Sequence, residues 1–158
     1  MSADLFFETL TNEHPDLDLV TSWVHEEWGK DEPQDFADSK RDLLDQPGCP
    51  PTKLAMRNGS AVGLVSFRRY PVPELEITGL WVNMLYVDQD HRHLGIASEL
   101  IRLAEKQSTE FDLQLFVYTP FPALYEKSGS QPFRPANEKG HFVLLKELKT
   151  ISHDLNSK

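Results

Sequence analysis

Residues 80–106 read LWVNMLYVDQDHRHLGIASELIRLAEK, and the rest of the chain is organised around them. Leu80, Trp81, Val82, Met84, Leu85, Tyr86 and Val87 form an apolar run without the strict alternation of a half-exposed strand. That pattern predicts a strand buried on both faces. Asp88-Gln89-Asp90-His91 breaks the run, and beyond it Leu94, Ala97, Leu100, Ile101 and Ala104 recur at helical spacing, with Glu99, Arg102 and Glu105 facing outward. The join, Arg92-His93-Leu94-Gly95-Ile96-Ala97, puts small residues where a helix begins. A helix N-terminus carries unpaired backbone N–H groups and the positive end of the dipole, which attract anions. Gly95 and Ala97 leave room for a bulky anion to reach those N–H groups, and Arg92 adds a fixed positive charge. The alternative is an ordinary strand–turn–helix in which Gly95 is only a turn residue.

A chain of 158 residues predicts a single domain with a real core, set here at 1–148 with a polar tail over 149–158 that frays. The hydrophobic share of 39% and charged share of 26% are those of a soluble globular chain. No apolar run approaches the length of a membrane span, and the N-terminus lacks a basic region followed by an apolar one, so no membrane partner is expected. Cys49 stands alone, excluding an intrachain disulfide and making a cytoplasmic setting the default. A net charge of −9 argues against nonspecific nucleic-acid binding and would favour a cationic partner such as an amine, though acidity also serves solubility.

In chain order, Leu5 to Leu10 reads as a first strand. A helix follows, with Asn12 or Asp16 as candidate caps, Pro15 near its start, an apolar face of Leu17, Val20, Trp23, Val24 and Trp28, and Gly29 as its stop. Asp31 to Leu44 predicts a weaker helix, and Gln46 to Pro51 a loop. Lys53 to Arg57 and Ala61 to Phe67 flank Asn58-Gly59, the strongest short-range hairpin signal. Tyr70 to Leu75 reads as a loop, with the central strand starting near Glu76. After the central helix come a strand over Leu113 to Tyr118, a turn at Thr119-Pro120, a short helix ending at Gly129, and last strands at Phe133 and Phe142 to Leu145. Strands first, then strand–helix–strand, implies an α/β (mixed α+β) fold: one mixed, mostly antiparallel sheet of six to seven strands with helices on both faces.

Arg-x-x-Gly-x-Ala after an apolar strand resembles the Arg/Gln-x-x-Gly-x-Gly/Ala signature of the GNAT superfamily, the acetyl-CoA-dependent N-acetyltransferases. The likeness extends over Leu85-Tyr86-Val87 before the turn and Gly95 to Ile101 after it. The element order resembles the GNAT fold over nearly the whole chain. His14-Pro15-Asp16 through Trp23 to Gly29 is similar, more loosely, to the first helix of some bacterial members. The resemblance implies acetyl-CoA as co-substrate, its pantetheine arm pairing with strand backbone at Leu85, Tyr86 and Val87. It implies a pyrophosphate on the N–H groups of His93, Leu94, Gly95, Ile96, Ala97 and Ser98, with Arg92 nearby. Direct transfer to the amine of an acceptor follows, by a monomer or homodimer.

Ala123-Leu124-Tyr125-Glu126-Lys127-Ser128-Gly129 is similar to the family's Phe-Tyr-x-Lys-x-Gly-Phe segment, whose tyrosine protonates the departing thiolate. That implies Tyr125 as general acid; the alternative is a helix tyrosine packed with Phe121 and Leu124. A free phenol has a pKa of about 10 against about 8.5 for a thiol, so positioning must matter more than acidity. Three departures stand out: Leu124 replaces the usual phenylalanine, Ser130-Gln131-Pro132 before Phe133 looks like a short insertion, and Tyr118 replaces a frequent asparagine. Where some members carry a strand glutamate as base, this chain has Gly79. Glu76 is the candidate base, with Glu74 beside it, unless both are solvated loop charges. Asn83 could position a water but cannot act as a base.

An amine of pKa about 10.4 is neutral in roughly one molecule in 2,500 at pH 7, against roughly one in six for an α-amine of pKa about 7.7. A site without a strong base therefore suits an α-amine or another weakly basic amine better. The missing strand glutamate keeps open a second possibility, a non-catalytic acyl-CoA-binding or sensing module. His91-x-His93 lacks further ligands at usable spacing, so no metal is expected. Cys49, with no histidine close in sequence, reads as a bystander. His25, Glu26, Glu27 and Trp28 either line the acceptor groove or form an exposed helix face.

Overall fold

The computed structural model describes residues 5–28 and 35–148. The helix stop at Gly29, the start of the second helix at Asp31 and the tail over 149–158 lie outside those residues. One seven-stranded sheet runs in the order β1-β2-β3-β4-β5-β7-β6. Its strands are β1 (Leu5–Thr9), β2 (Lys53–Arg57), β3 (Ser60–Pro71), β4 (Thr78–Val87), β5 (Gln114–Thr119), β6 (Gln131–Arg134) and β7 (Phe142–Glu147). Every neighbouring pair is antiparallel except β4 and β5, which are parallel. The helices are α1 (Leu17–Trp28), α2 (Phe36–Leu44), α3 (Ile96–Ser108) and the short α4 (Pro122–Glu126). They cover both faces: Leu17, Val20, Trp23 and Leu43 pack on one, and Ile96, Leu100, Ile101, Ala104 and Tyr125 on the other.

The hairpin forms at Asn58-Gly59, both with positive φ (53° and 80°), as a two-residue loop joining twisted strands requires. β3 is longer than its sequence suggests. Tyr70 and Pro71 continue the ladder opposite Gly79 and Thr78, so the loop is confined to Val72–Ile77 and the central strand starts at Thr78, after Glu76. Pro132 belongs to β6, opposite Leu144, so Gln131-Pro132 opens an edge strand. An edge tolerates the missing N–H. The Asp16 carboxylate accepts from the Ala61 N–H at 2.9 Å and ties the helix entrance to β3.

β4 explains why its sequence fails to alternate. Gly79, Leu80, Trp81 and Val82 are buried, as is Met84. Ser66 pairs with Met84 while Phe67 pairs with Val82, leaving Asn83 as an extra residue. Such a bulge bends the strand and exchanges the faces that following residues occupy. Leu80 and Val82 face α3 before it, and Leu85 and Val87 face α3 after it, while Met84 and Tyr86 turn to α1. A parity-based assignment from sequence would put one half of the strand on the wrong face.

Candidate active site

β4 and β5 stay paired only at Trp81↔Phe116 and Val82↔Val117, then part. On its other side β4 remains bound to β3, where the Asp88 N–H donates to Val62 O at 2.8 Å. Hydrogen-bonded positions alternate along an antiparallel pair. With Leu64↔Tyr86 in register with that bond, the N–H and C=O of Tyr86 point into β3, and those of Leu85 and Val87 point to the open edge. Val87 O on that edge accepts from Arg92 Nε at 2.8 Å. The Arg92 guanidinium carbon lies 5.4 Å from the Tyr86 ring centroid, whose other neighbours are Trp23 (5.2 Å) and Trp28 (6.4 Å).

The turn after β4 makes a single 3-10 turn over Gln89–His91 and enters α3 through two left-handed residues, His93 (φ 67°) and Gly95 (φ 84°). A non-glycine residue held at positive φ is a local strain often found at functional sites. Gly95 is the N-cap and supplies no side-chain hydrogen bond. The Glu99 N–H is the first to bond back into the turn, to Gly95 O at 3.1 Å. Among the described residues no acceptor takes the N–H groups of Ile96, Ala97 or Ser98. The helix face predicted from sequence shifts here: Leu94 is outside the helix and exposed, and Ile96 takes its place in the core beside Leu100, Ile101 and Ala104. A side chain at Gly63 on β3 would press on Tyr86 O (3.0 Å) and Leu100 Cδ1 (3.1 Å), so this glycine lets α3 lie close to the sheet.

Where β4 and β5 part, a small cavity is lined by Val82, Val117, Ile101, Glu105, Tyr125 and Ser130. The Tyr125 side chain is 6% exposed, and burial pushes its phenol well above its ordinary pKa, so it stays protonated. Burial also raises Glu105, against the opposing pull of Ser128 and Lys146. Its carboxylate accepts from Ser128 Oγ at 2.9 Å.

The structure brings Leu85, Val87, Arg92 and the turn from His93 to Ser98 along one path, with Tyr125 in the cavity beside its β4 end. Tyr86 lies between them but faces α1. Glu76 is exposed on the Val72–Ile77 loop, outside the strand, and Glu74 beside it pairs with Arg134 at 2.8 Å. A Cβ at Gly79 would meet Val72 Cγ2 at 2.7 Å and Phe116 Cε1 at 3.0 Å, so the position expected to hold a glutamate is filled by neighbouring side chains. Tyr118, at the asparagine position, stacks on His141 at 4.6 Å, and its hydroxyl accepts from Asn137 Nδ2 at 2.7 Å. His25 Nδ1 is 3.3 Å from Ser39 Oγ, while Glu26 and Glu27 are exposed. His91 Nδ1 lies 3.2 Å from Asp88 Oδ2, and among the described residues no three His, Cys, Asp or Glu side chains come together as metal ligands. Glu105, expected from helical spacing to face outward, instead lines the cavity, and Lys146, which the sequence does not single out, lies 3.9 Å from it.

The sequence profile of the Acetyltransferase (GNAT) family matches residues 14–129. A comparison with curated proteins found no match. Among solved structures, the histone acetyltransferase HPA2 and related acetyltransferase from Corynebacterium glutamicum superposes with a TM-score of 0.72 at 13% identity, covering 93% of this chain and 98% of that one. An aminoglycoside 6'-N-acetyltransferase complexed with coenzyme A gives 0.70 at 15% identity, covering 90% and 96%. Arabidopsis thaliana NAA60 in complex with acetyl-CoA gives 0.68 at 14%, covering 91% and 99%. At these identities the likeness is one of fold.

Proposed function

The chain belongs to the Acetyltransferase (GNAT) family, and within it we propose that this protein moves the acetyl group of acetyl-CoA directly to a primary amine, on a small molecule or a peptide or protein N-terminus. The observation that carries this is the continuity between the open backbone edge of Leu85 and Val87 and the uncapped N-terminus of α3. The pantetheine arm holds amide groups that can bond to such an edge as an added strand does. The diphosphate that follows it is an anion suited to the free N–H groups from His93 to Ser98. Arg92, already at the end of that edge, contributes charge beside it.

The thioester would then sit where β4 and β5 part, next to Tyr125. Attack by a neutral amine forms the C–N bond and breaks the C–S bond. The amine loses a proton to solvent, and the departing sulfur takes one from Tyr125. The phenolate left behind, which burial disfavours, takes a proton back from solvent as CoA leaves. Burial weakens Tyr125 as an acid, but the same dry surroundings disfavour the thiolate, so the transfer is not opposed by burial alone. Between Thr78 and Val87 the only ionisable side chain is Tyr86, which supports an acceptor that is substantially neutral on its own, an α-amine in preference to a lysine-like amine. Glu76, exposed on its loop, suits drawing a cationic amine toward the groove better than deprotonating it in a dry site.

The lack of a strand carboxylate also favours a second possibility, a module that binds acyl-CoA without turnover. Release of CoA from acetyl-CoA in the presence of α-amines, alkyl diamines and peptides with free N-termini separates the two. Acetylated product supports transfer. Tight acetyl-CoA binding with no product across the panel overturns it.

A further inference from the structure

The Tyr125 helix has five residues, too few to hold a shape by its own hydrogen bonds. Its C-terminal turn is instead fastened from two directions. Ser128 Oγ donates to Glu105 Oε1 on α3 at 2.9 Å, and Lys146 Nζ on β7 donates to Ser128 O at 2.5 Å. Ser128 in turn is bound to the tyrosine's own backbone, its N–H donating to Tyr125 O at 3.0 Å, with Ser130 N–H donating to the same oxygen at 3.2 Å. Gly129 between them has φ 105°, a left-handed backbone that favours glycine, and Lys146 Nζ packs over it, 2.5 Å from where a Cβ would stand. Glu105 and Lys146 are 3.9 Å apart, with side chains 14% and 25% exposed. Sequestering that pair has a desolvation cost which a plain hydrophobic contact would avoid.

Resting on the assignment of Tyr125 as general acid, we propose that Glu105 and Lys146 are positioning residues, which through Ser128 hold Tyr125 at the parting of β4 and β5. Neither needs to touch the substrate. Displacement of a catalytic group by about 1 Å can lower a rate on the order of 100-fold. The two side chains come from a helix and a strand already locked in the sheet, so they transmit the rigidity of the core to a segment that lacks its own.

The test uses the full chain carrying Glu105→Ala, Glu105→Gln or Lys146→Met, each alone and with Tyr125→Phe. Readouts are CoA release with the amine panel, acetyl-CoA Kd by calorimetry, and amide hydrogen exchange of residues 122–130. Expected are a fall in kcat of about tenfold or more for Glu105→Ala and Lys146→Met, acetyl-CoA Kd within about twofold, and faster exchange in the Tyr125 segment. Glu105→Gln, which keeps an oxygen to accept from Ser128, should restore most of the activity. In the Tyr125→Phe background neither change should lower kcat further. A full additional loss there, or a matching loss of acetyl-CoA affinity, would mark a general structural role and overturn the proposal. Unchanged kcat in Glu105→Ala while Tyr125→Phe is impaired would overturn it and leave the acid role standing. Unchanged kcat in Tyr125→Phe, or no CoA release by the unmodified protein, would overturn both.

Discussion

Replacing Gly95 with alanine separates two consequences of one residue. Gly95 sits at φ 84° and ψ 6°, in the left-handed region that costs a residue with a Cβ about 1–2 kcal/mol. For a chain of this size each kcal/mol lowers the melting temperature by roughly 2–4 °C, so Gly95→Ala should melt roughly 2–8 °C lower. No further steric cost is expected, because among the described residues a Cβ at Gly95 meets no heavy atom within 4 Å beyond its chain neighbours. The methyl would stand beside the uncapped N–H groups of Ile96, Ala97 and Ser98, where the diphosphate is proposed to lie. Losing one charge-assisted hydrogen bond there costs about 1.5–3 kcal/mol, or roughly 10- to 150-fold in acetyl-CoA Kd. Gly59 is the matched control: φ 80°, at the tip of the β2–β3 hairpin, and among the described residues a Cβ there likewise meets no heavy atom within 4 Å beyond its chain neighbours. Gly59→Ala should lose similar stability and bind acetyl-CoA as the unmodified protein does. Calorimetric melting and acetyl-CoA titration of both variants provide the assay. An unchanged Kd in Gly95→Ala, alongside the expected drop in melting temperature, would refute the anion cradle.

Tyr125→Phe should lower turnover on the order of 100-fold with acetyl-CoA affinity within about twofold; steady-state kinetics and titration check this, and unaltered turnover removes the acid role. Burial moves the ionisation of Tyr125 upward, so raising pH generates neutral amine without consuming the acid. The rate should climb with pH, levelling above about pH 8 for an α-amine and still rising at about pH 9 for a lysine-like amine, and a decline between about pH 7 and 9 would contradict it. Near pH 7 the α-amine should react faster, and equal rates would count against the absence of a strong base. Gly79→Glu should destabilise the fold on the order of 3 kcal/mol or more, because its side chain meets Val72 and Phe116, and an unshifted melting temperature would be inconsistent with that packing. Glu76→Gln should raise KM for a cationic amine a few-fold at low salt and leave kcat unchanged, whereas a large fall in kcat would restore Glu76 as the base.

The residues from Leu80 to Lys106 by themselves determined the strand, the turn and the helix, because apolar runs, breakers and helical periodicity are local properties of the chain. Asn58-Gly59 determined the hairpin for the same reason, its loop having few conformations to choose from. What the sequence could not determine depends on contacts between distant segments. The extra residue at Asn83 is visible only in its pairing with β3, and it decides which face Leu85 and Val87 take. The open edge at those residues exists because β5 leaves β4 after Val117, a fact about two strands and not about either. Leu94 and Ile96 compete for the first core position of α3 on nearly equal hydrophobicity, and the left-handed turn at Gly95 decides for Ile96. Gly79 read as a missing base; in three dimensions it is a glycine because Val72 and Phe116 occupy the space of a side chain. The fastening of Tyr125 joins Glu105, Ser128 and Lys146, which are separated by 23 and 18 positions in the chain. No local pattern encodes such a bond, since it forms only after helix, turn and strand have been packed against one another.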